Sequence, residues 1–364
     1  MERQKLDIFT EEEFQGLPIL EGKKYKVLPS LPPSSWKNYK EGSLILCRHK
    51  GSFLRPCPAT PQYNCCGLNI FHFGQGCSIS CSYCILNAYL GSEAMVLFGN
   101  IDEGLSSLEE YLKQVAKDPD GDFPLADTSP RSHRFCTGEF TDSLLLDDVT
   151  HLAAKLVELF SKYPPALLEL KTKTCQIQEL IGLSHGQRTV VSFSVNSPEV
   201  VSKEEPRAAT LTARLKAAEK LTRCGYQVGF HFDPLIHYKG WERGYQKTVE
   251  TLFSIVDPQA IAWISLGCFR YLPNLKPLML QKGAKSLFSE EFIKADDGKM
   301  RYPRPLRYLM YRTLMDFLGE KLSPSTILYL CMESGRLWND LFGYDPGTPG
   351  LTKMFRPPFS PIAP

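Results

Sequence analysis

The chain has 364 residues, with 42 basic and 40 acidic side chains and a formal net charge of +2. This length suits one large α/β domain with extensions or two modest domains, and the balanced charge gives no general attraction for nucleic acid or a membrane surface. No apolar run is long enough to span a bilayer, and the start of the chain, MERQKLDIFTEEEF, is charged throughout. Together with twelve cysteines, these features predict a soluble protein of the reducing cytoplasm, where thiols serve metals and chemistry.

Residues 1–66 are predicted to form an irregular N-terminal segment, because prolines such as Pro29, Pro32 and Pro33 interrupt regular elements. Cys57, Cys65 and Cys66 lie in its second half and could form a second metal or cluster site. The alternative, which we favour, is that they are buried thiols that pack as small apolar side chains. In either case we expect the three to lie close together, near one end of the domain that follows.

The most informative stretch is Gly76–Leu86, GCSISCSYCIL, in which Cys77, Cys81 and Cys84 have the spacing C-x3-C-x2-C. Cysteines so close together in one short loop cannot pair without strain, so disulfides are not expected. Thiolate ligands favour zinc or an iron–sulfur cluster, and no His or Cys follows closely to complete a zinc site. A [4Fe–4S] cluster held by three cysteines instead leaves one iron open for another ligand. The alternative is three ordinary core cysteines.

From residue 68 onward, short apolar strands alternate with amphipathic helices, which predicts right-handed crossovers and a parallel sheet. Six strands are predicted: Leu68–Phe73, His133–Gly138, Leu167–Thr174, Arg188–Asn196, Gln227–Pro234 and Ile261–Phe269. After about residue 275 this alternation stops. Residues 276–364 are therefore predicted to form a C-terminal extension with one more buried element near Leu328–Trp338, in which Cys331 is expected to pack in the core.

The predicted strands have an unusual polar face. Polar residues alternate with apolar ones in the third, fourth and fifth strands: Glu169, Lys171 and Lys173; Ser192, Ser194 and Asn196; His231 and Asp233. Since successive side chains of a strand point to opposite faces, each strand has one apolar face for its helices and one polar face. We therefore predict an α/β fold in which residues 67–275 form a partial (β/α)6 TIM-type barrel. Its polar interior would hold a charged ligand at the C-terminal ends of the strands.

Several of these polar residues are candidates for ligand binding. The ammonium group of Lys173 would suit a carboxylate, although a solvated charge at a strand end is the alternative. Ser194 or Asn196 would suit ribose hydroxyls. His231 is either a proton carrier or a hydrogen-bonded interior residue, and the sequence leaves both open. Asp142, after the second strand, is expected to cap the next helix.

The cysteine spacing resembles that of the radical S-adenosylmethionine (SAM) enzymes. An ordered set of short sequences in roughly residues 68–272 resembles the spore photoproduct lyase family: SYCIL, Thr172–Lys173, FSVNS, RLKAAEKL, GF-x3-P, GWERGY and SLGCFR. This resemblance implies a [4Fe–4S] cluster on Cys77, Cys81 and Cys84, with SAM bound to its open iron. It also implies that cleavage of SAM gives a 5′-deoxyadenosyl radical that abstracts hydrogen from a substrate. An electron donor such as flavodoxin or ferredoxin is the implied partner, and a cluster-binding redox protein without radical catalysis is the alternative.

The resemblance also suggests roles for single residues. Glu139, in the sequence Thr-Gly-Glu, nearly matches a Gly-Gly-Glu-type motif whose groups receive the ammonium of SAM. Lys173 and Ser194 match positions that contact this cofactor. Tyr83 matches one tyrosine of a radical-relay pair, with stacking near the adenine or simple packing as alternatives. The second tyrosine of that pair is replaced here by Ile85.

The prototype of the family reverts a thymine dimer in DNA and needs a cysteine, at the end of the second strand, that returns a hydrogen atom to the substrate. The matching position here is Glu139, whose carboxylate cannot donate a hydrogen atom as a thiol does. Cys136 is the nearby substitute, but strand alternation places it on the opposite face from Glu139. We therefore expect no repair of spore photoproduct. The substrate stays open, nucleic acid included, because a small basic patch runs from Arg48 to Arg55.

Overall fold

The computed structural model describes residues 44–60, 62–86, 94–119 and 133–355, together with residues 6–7, 12 and 17. Pro29, Pro32 and Pro33 lie outside these ranges. None of the helices within them is long and apolar enough to cross a lipid bilayer.

The described residues form strands that belong to three sheets. In chain order they are β1 (Leu6–Asp7), β2 (Leu44–His49), β3 (Leu54–Pro56), β4 (Asn69–Phe71), β5 (Gly74–Gln75), β6 (Met95–Phe98), β7 (Arg134–Cys136), β8 (Leu167–Thr172), β9 (Thr189–Ser194), β10 (Gln227–Leu235), β11 (Ile261–Cys268), β12 (Arg270–Tyr271), β13 (Ile293–Lys294), β14 (Met300–Arg301) and β15 (Ile327–Leu330).

The α-helices lie between these strands and after them. They are α1 (Ile101–Lys117), α2 (Asp147–Thr150), α3 (Leu152–Ser161), α4 (Pro198–Glu204), α5 (Leu211–Arg223), α6 (Trp241–Ile255), α7 (Lys276–Gln281), α8 (Arg304–Leu318), α9 (Gly335–Phe342) and α10 (Gly347–Met354). Apolar residues at helical spacing explain their packing: in α1, Leu108, Leu112 and Val115 are fully buried on one face.

The largest sheet has eight strands in the order β15-β11-β10-β9-β8-β7-β4-β3. Seven of them run parallel, and β3 pairs antiparallel with β4 at one edge. All six predicted strands are present in this curled sheet. The prediction of a partial TIM-type barrel is thus confirmed, with a seventh parallel strand, β15, beyond the six.

Both predicted domain boundaries need correction. The barrel sheet continues past residue 275, because β15 pairs with β11 from Trp263 to Leu266. The N-terminal segment is not wholly irregular, because β3 joins the barrel sheet, while β2 pairs in parallel with β6 in a separate sheet with β1 and β5. These strands are short, and Pro56 ends one at a sheet edge, where a missing N–H is tolerated. Such strands leave little periodicity to detect.

The register of the parallel strands determines which side chains face the barrel interior. Cys136 lies beside Glu169, Lys171 beside Ser192, and His231 beside Ser194. Gly229 lets the Ser192 hydroxyl and the Trp263 indole pack closely over the backbone, since a Cβ atom there would lie 2.5 Å from the Ser192 Oγ and the Trp263 Nε1. The predicted polar face is therefore the face that lines the interior.

Candidate active site at the barrel mouth

The loop that carries the three cysteines (the cluster loop, residues 76–86) follows β4 and β5 and lies at the C-terminal ends of the barrel strands. Gly76, with a φ of 96°, donates its backbone N–H to the Phe140 carbonyl at 2.8 Å. The Cys84 N–H donates to the Cys81 carbonyl at 3.1 Å. Cys81 is buried and the other two cysteines are half-buried. The loop is thereby tied to the segment that contains Glu139.

Two adjacent glutamates at the end of α4 anchor the other side of the cluster loop. The Ser82 hydroxyl donates to the Glu204 carboxylate, and the Tyr83 hydroxyl donates to the Glu205 carboxylate. Glu205 is fully buried, and its carboxylate also pairs with Arg214 and lies 4.0 Å from the Lys173 Nζ. Although burial raises the pKa of Glu205, Lys173 and Arg214 bring it below its ordinary value. Glu205 is therefore an ionised support for Tyr83.

The three cysteines of the cluster loop lie close enough for each thiol to affect the ionisation of another. Burial is the main cause that raises the pKa of all three thiols, that of Cys81 to about 12. Without a metal they are protonated thiols, so an iron–sulfur cluster would bind them with release of protons.

The donor set of the cluster loop consists of three thiols, which are soft ligands of the kind that bind iron–sulfur clusters. Within the described ranges, no group of three or more His, Cys, Asp or Glu side chains is arranged to hold a single metal ion.

The segment after β7 brings a carboxylate to the same place. Glu139 is half-buried, and burial raises its pKa even though Lys171, Lys299 and Arg270 act to lower it. Asp142, in contrast, is fully used by the protein, since it accepts hydrogen bonds from the Leu144 and Lys173 N–H groups and from the Thr172 hydroxyl. Asp142 thus has a structural role, but the expectation that it caps the next helix is wrong, because α2 begins at Asp147 and its N-cap residue is Leu146.

We call Glu139, Lys171, Asp233, Arg270 and Lys299 the lumen mouth. Arg270 donates to both carboxylate oxygens of Asp233, at 3.2 and 3.3 Å. Burial would raise the pKa of Asp233, but Arg270 and Lys171 lower it. Burial would likewise lower the pKa of Lys171, but Asp233 and Glu169 raise it. The lumen mouth therefore carries three cations beside two carboxylates.

A second set of residues, which we call the lumen floor, lies deeper in the barrel interior than the lumen mouth: Arg134 begins β7, Glu169 and Trp263 are the third residues of β8 and β11, and His231 is in the middle of β10. The His231 Nε2 lies 2.7 Å from Glu169, and the Arg134 Nε lies 3.7 Å from it. The Trp263 Nε1 donates to the same carboxylate at 3.3 Å. The ring of Phe355 covers Arg134, with its centre 3.8 Å from the guanidinium carbon. His231 is thus a hydrogen-bonded interior residue.

The structure brings some of the predicted ligand-binding residues to the cluster loop. The Lys173 Nζ lies 5.8 Å from the centre of the Tyr83 ring. Ser194 is buried on the interior face beside His231. Asn196, however, is bonded within the protein: its amide donates to the Pro234 carbonyl at 2.9 Å and accepts from the Tyr245 hydroxyl at 2.6 Å. This geometry favours a structural role for Asn196.

The expected position of Cys136 is wrong. Its register with Glu169 places it on the interior face, and Lys171 affects the ionisation of both Cys136 and Glu139. The alternation argument failed because β7 ends at Cys136, so the three following residues do not continue the strand. Burial raises the pKa of Cys136 to about 12, which keeps its S–H proton in place at neutral pH.

Cys57, Cys65 and Cys66 lie close together, as expected, but they lie beside the barrel interior, with Cys57 near Glu139 and Cys66 near Arg134, rather than at one end of the barrel. Hydrogen bonds between thiols link Cys57 to Cys65 and Cys65 to Cys66. Cys331 joins them and contacts the Arg270 Nη2 at 3.6 Å, so it does more than pack in the core. The Arg134 Nη2 donates to the Cys66 sulfur at 2.9 Å. We call these four cysteines the second thiol group.

Sequence reasoning missed several residues of this site. Glu205, Arg270 and Lys299 lie outside the predicted strands or at their ends, where no periodic pattern marks them. The sequence pattern places Lys171 on the polar, interior face of its strand but does not mark it as a ligand-binding residue. A charged residue directly after a predicted strand, such as Arg270 after β11, is the signal that could have indicated the lumen mouth.

Comparisons with known proteins agree with this architecture. A family model described as spore photoproduct lyase matches residues 69–291, more than half of the chain. Spore photoproduct lyase of Geobacillus sp. (strain Y412MC61) is 30% identical over 232 residues, which cover 62% of each chain. That of Bacillus subtilis (strain 168) is 29% identical over 181 residues, 50% of this chain and 49% of the relative. The chain therefore spans about half to three fifths of the length of these relatives.

Solved structures show the same fold. Spore photoproduct lyase complexed with dinucleoside spore photoproduct has a TM-score of 0.65 to this chain, at 20% sequence identity, over 85% of this chain and 87% of that one. A variant with bound AdoMet (SAM) and the dinucleoside has a TM-score of 0.66, also at 20% identity, over 86% and 88% of the two chains. Because the matched region contains the cluster loop and most of the barrel, the chain belongs to the spore photoproduct lyase family.

Proposed function

We propose that the chain is a radical SAM enzyme that binds a [4Fe–4S] cluster through Cys77, Cys81 and Cys84. One observation carries this proposal: the cluster loop lies directly over the charged end of a partial barrel. Its hydrogen bonds to Phe140 and Glu205 hold it beside the residues predicted to bind SAM. The members of the family with similar folds include one with bound SAM.

The residues around the cluster loop suit this cofactor pair. When bound, the reduced cluster and SAM would together supply a radical that abstracts a hydrogen atom from the substrate. Glu139 would accept hydrogen bonds from the ammonium of the cofactor, and Lys173 would pair with its carboxylate. Ser194 would bind a ribose hydroxyl from the barrel interior. Burial of the site would exclude water from these contacts.

We propose that the substrate carries phosphate and comes from nucleic acid. Lys171, Arg270 and Lys299 place cationic groups at the lumen mouth, where a phosphate could pair with them. Relatives of similar fold bind a dinucleoside lesion. The reaction would take place in the cytoplasm, whose reducing conditions suit a protein in which all twelve cysteines are free thiols.

Cleavage of SAM tests this function. The protein is reconstituted with iron and sulfide without oxygen, reduced with dithionite and incubated with SAM, and 5′-deoxyadenosine is quantified by chromatography. We expect its formation in the parent and its loss in Cys81→Ala. If the protein holds a cluster that dithionite reduces but does not cleave SAM, the alternative function holds: a cluster-binding redox protein without radical catalysis.

The dinucleoside spore photoproduct is the first substrate to test. We still expect no multiple-turnover repair to thymine monomers, because Glu139 replaces the thiol and Ile85 replaces the second relay tyrosine. Since Cys136 faces the interior, its variant is an essential control. Repair that disappears in Cys136→Ala would make Cys136 the hydrogen donor, and repair that persists in this variant would refute the argument from Glu139.

A further inference from the structure

A buried ion pair lies behind the cluster loop, where α4 ends and α5 begins. It joins Glu205 to Arg214, and their side chains are no more than 1% exposed. The Glu205 carboxylate also accepts a hydrogen bond from the Tyr83 hydroxyl and lies 4.0 Å from the Lys173 Nζ. We call Tyr83, Lys173, Glu205 and Arg214 the charge hub. Glu205 supplies the negative charge of this hub, and Lys173 and Arg214 supply two positive charges.

Each cation of the charge hub has a separate task. The Arg214 guanidinium donates to the backbone carbonyls of Ser194 and Ala209, each at 2.8 Å, and so holds the end of β9 in place. Lys173 is the residue that we propose for the carboxylate of SAM. Neither cation can be replaced without the loss of one of these contacts. The carboxylate of Glu205 therefore balances charges that the site needs for other reasons.

The charge hub lies close to one of the proposed cluster ligands. Burial raises the pKa of the Cys81 thiol, while Lys173 acts to lower it, Glu205 to raise it and Arg214, more weakly, to lower it. The same three charges would act on a cluster bound by this cysteine. Cations favour the reduced, more negative form of a cluster and make it a weaker reductant, whereas an anion has the opposite effect.

We propose that Glu205 is a positioning residue whose negative charge offsets the cations of the charge hub and thereby keeps the bound cluster a strong reductant. This inference rests on the proposed function and deepens it, because cleavage of SAM requires a strongly reducing cluster. In the step concerned, one electron from a one-electron reductant such as dithionite enters the oxidised cluster, and no bond forms or breaks. Glu205 changes the free energy of this step through its charge.

A purely structural role for Glu205 would not need a carboxylate. Tyr83 could donate its hydrogen bond to a neutral amide, and a buried ion pair contributes little net stability compared with apolar side chains of similar shape. A neutral acceptor at this position would leave Lys173 and Arg214 unbalanced beside the cluster loop. The charge of Glu205, as opposed to its hydrogen bond, therefore distinguishes the two roles.

A redox titration of the reconstituted cluster provides the test. The reduced fraction is measured by electron paramagnetic resonance at solution potentials set with dithionite and mediators, without SAM. At a fixed potential, the ratio of reduced to oxidised cluster should rise about tenfold in Glu205→Gln, a shift of about 59 mV for one electron. Glu205→Asp, which keeps the charge, should stay close to the parent. Glu199→Gln, at an exposed position of α4, is the matched control.

Further variants separate charge from geometry. Tyr83→Phe removes the hydrogen bond but no charge and should leave the ratio unchanged, whereas Lys173→Met removes a cation and should lower it severalfold. Because Glu205→Gln leaves Arg214 without its partner, Glu205→Gln/Arg214→Met removes the ion pair as a unit. The ratio should still rise in this double variant, since Glu205 acts on Cys81 more strongly than Arg214 does.

The outcomes separate this inference from the proposed function. An unchanged ratio in both variants that lack Glu205 would overturn the inference, and so would an equal rise in Tyr83→Phe. If SAM is cleaved by a parent whose cluster potential does not respond to Glu205, the proposed function stands without the inference. If the shifts are observed but SAM is not cleaved, radical catalysis fails while the effect of Glu205 on the cluster holds. If no cluster binds, both are refuted.

Discussion

The lumen floor and the lumen mouth both contain acidic and basic residues that face the barrel interior, and β8 and β10 contribute to both, yet they differ in how completely their charges are enclosed. At the floor, Glu169 contacts Arg134, His231 and Trp263 and is 1% exposed. At the mouth, Glu139 and Lys171 stay half-buried, and Asp233 and Arg270 form an ion pair with two hydrogen bonds that is also half-buried. Position along the strand, more than residue type, therefore separates a structural charge from one that can meet a ligand.

The largest expected effect concerns the cluster loop above the mouth. Cys77→Ala/Cys81→Ala/Cys84→Ala should lower the iron content of reconstituted protein from about four per chain to background. Colorimetric iron analysis and the loss of the brown chromophore measure this change. Because the loop is held by Glu204 and Glu205 through other residues, the variant should remain folded, as circular dichroism would show. The exposed Cys175→Ala variant is the control.

The same triple variant tests the second thiol group. Its sulfurs already accept hydrogen bonds from Arg134 and from neighbouring thiols, so we expect no metal there. Iron and zinc analysis should therefore find no metal above the background of the reconstitution, since a true thiolate site would be filled under these conditions. Residual metal near one ion or cluster per chain would show that Cys57, Cys65 and Cys66 are ligands.

At the lumen floor the expected effect is on stability. Arg134→Met should lower the free energy of unfolding by about 3–5 kcal/mol, because it leaves the buried Glu169 carboxylate without its permanent cation. Urea unfolding followed by circular dichroism measures this loss. Lys299→Met at the mouth should cost about 1 kcal/mol, since Lys299 lies 3.7 Å from Asp297, which Arg301 continues to neutralise. Equal losses in the two variants would contradict the distinction between floor and mouth.

At Lys173, beside the cluster loop, the expected effect is on binding. Lys173→Met should weaken SAM binding to the reconstituted protein about tenfold, which corresponds to about 1.4 kcal/mol. Its free energy of unfolding should fall by less than that of Arg134→Met. Equilibrium dialysis with labelled SAM measures the affinity. Ser202→Ala, at an exposed position of α4, is the control. Unchanged affinity in Lys173→Met would leave this lysine with only its contacts to Glu205 and Tyr83.

The smallest expected effect is a dependence of stability on pH that arises from the lumen floor. Burial lowers the pKa of His231 to about 4 despite its contact with Glu169, from an ordinary value of 6.5. Between these values the unfolded chain binds a proton that the folded chain does not, so stability is full above pH 6.5 and falls as the pH drops toward 4. The pKa of Glu169 is also below its ordinary value: burial would raise it, but Arg134 and His231 lower it, which adds to the loss in acid.

Urea midpoints at pH 7.5 and pH 5 measure this effect. His231→Gln should lose less stability over this interval than the parent, although it retains the part due to His72, whose pKa burial lowers to about 3. His151→Gln, at an exposed position, should behave as the parent does. An identical pH dependence in His231→Gln would mean that His231 is not a source of the acid sensitivity.

The sequence predicted the barrel and the cluster loop because both depend on short-range patterns. Alternation in β8 to β10 identified the interior face, and the spacing of Cys77, Cys81 and Cys84 identified the loop. It failed where a strand ended early, as at Cys136, and where chain segments distant in sequence meet. Examples of the latter are Glu205 beneath Tyr83 and Lys299 near Glu139. No local pattern records such contacts, because they arise from tertiary packing alone.

The position of Phe355 limits how a ligand can enter and leave the barrel interior. Its ring is 1% exposed and packs against Arg134, Trp263 and Tyr329, so it acts as a stopper at the N-terminal ends of the strands. A ligand that enters the interior must then leave by the way it came. Because the interior then opens at one end only, product must dissociate before the next substrate molecule can bind. Product should therefore be a competitive inhibitor with respect to substrate.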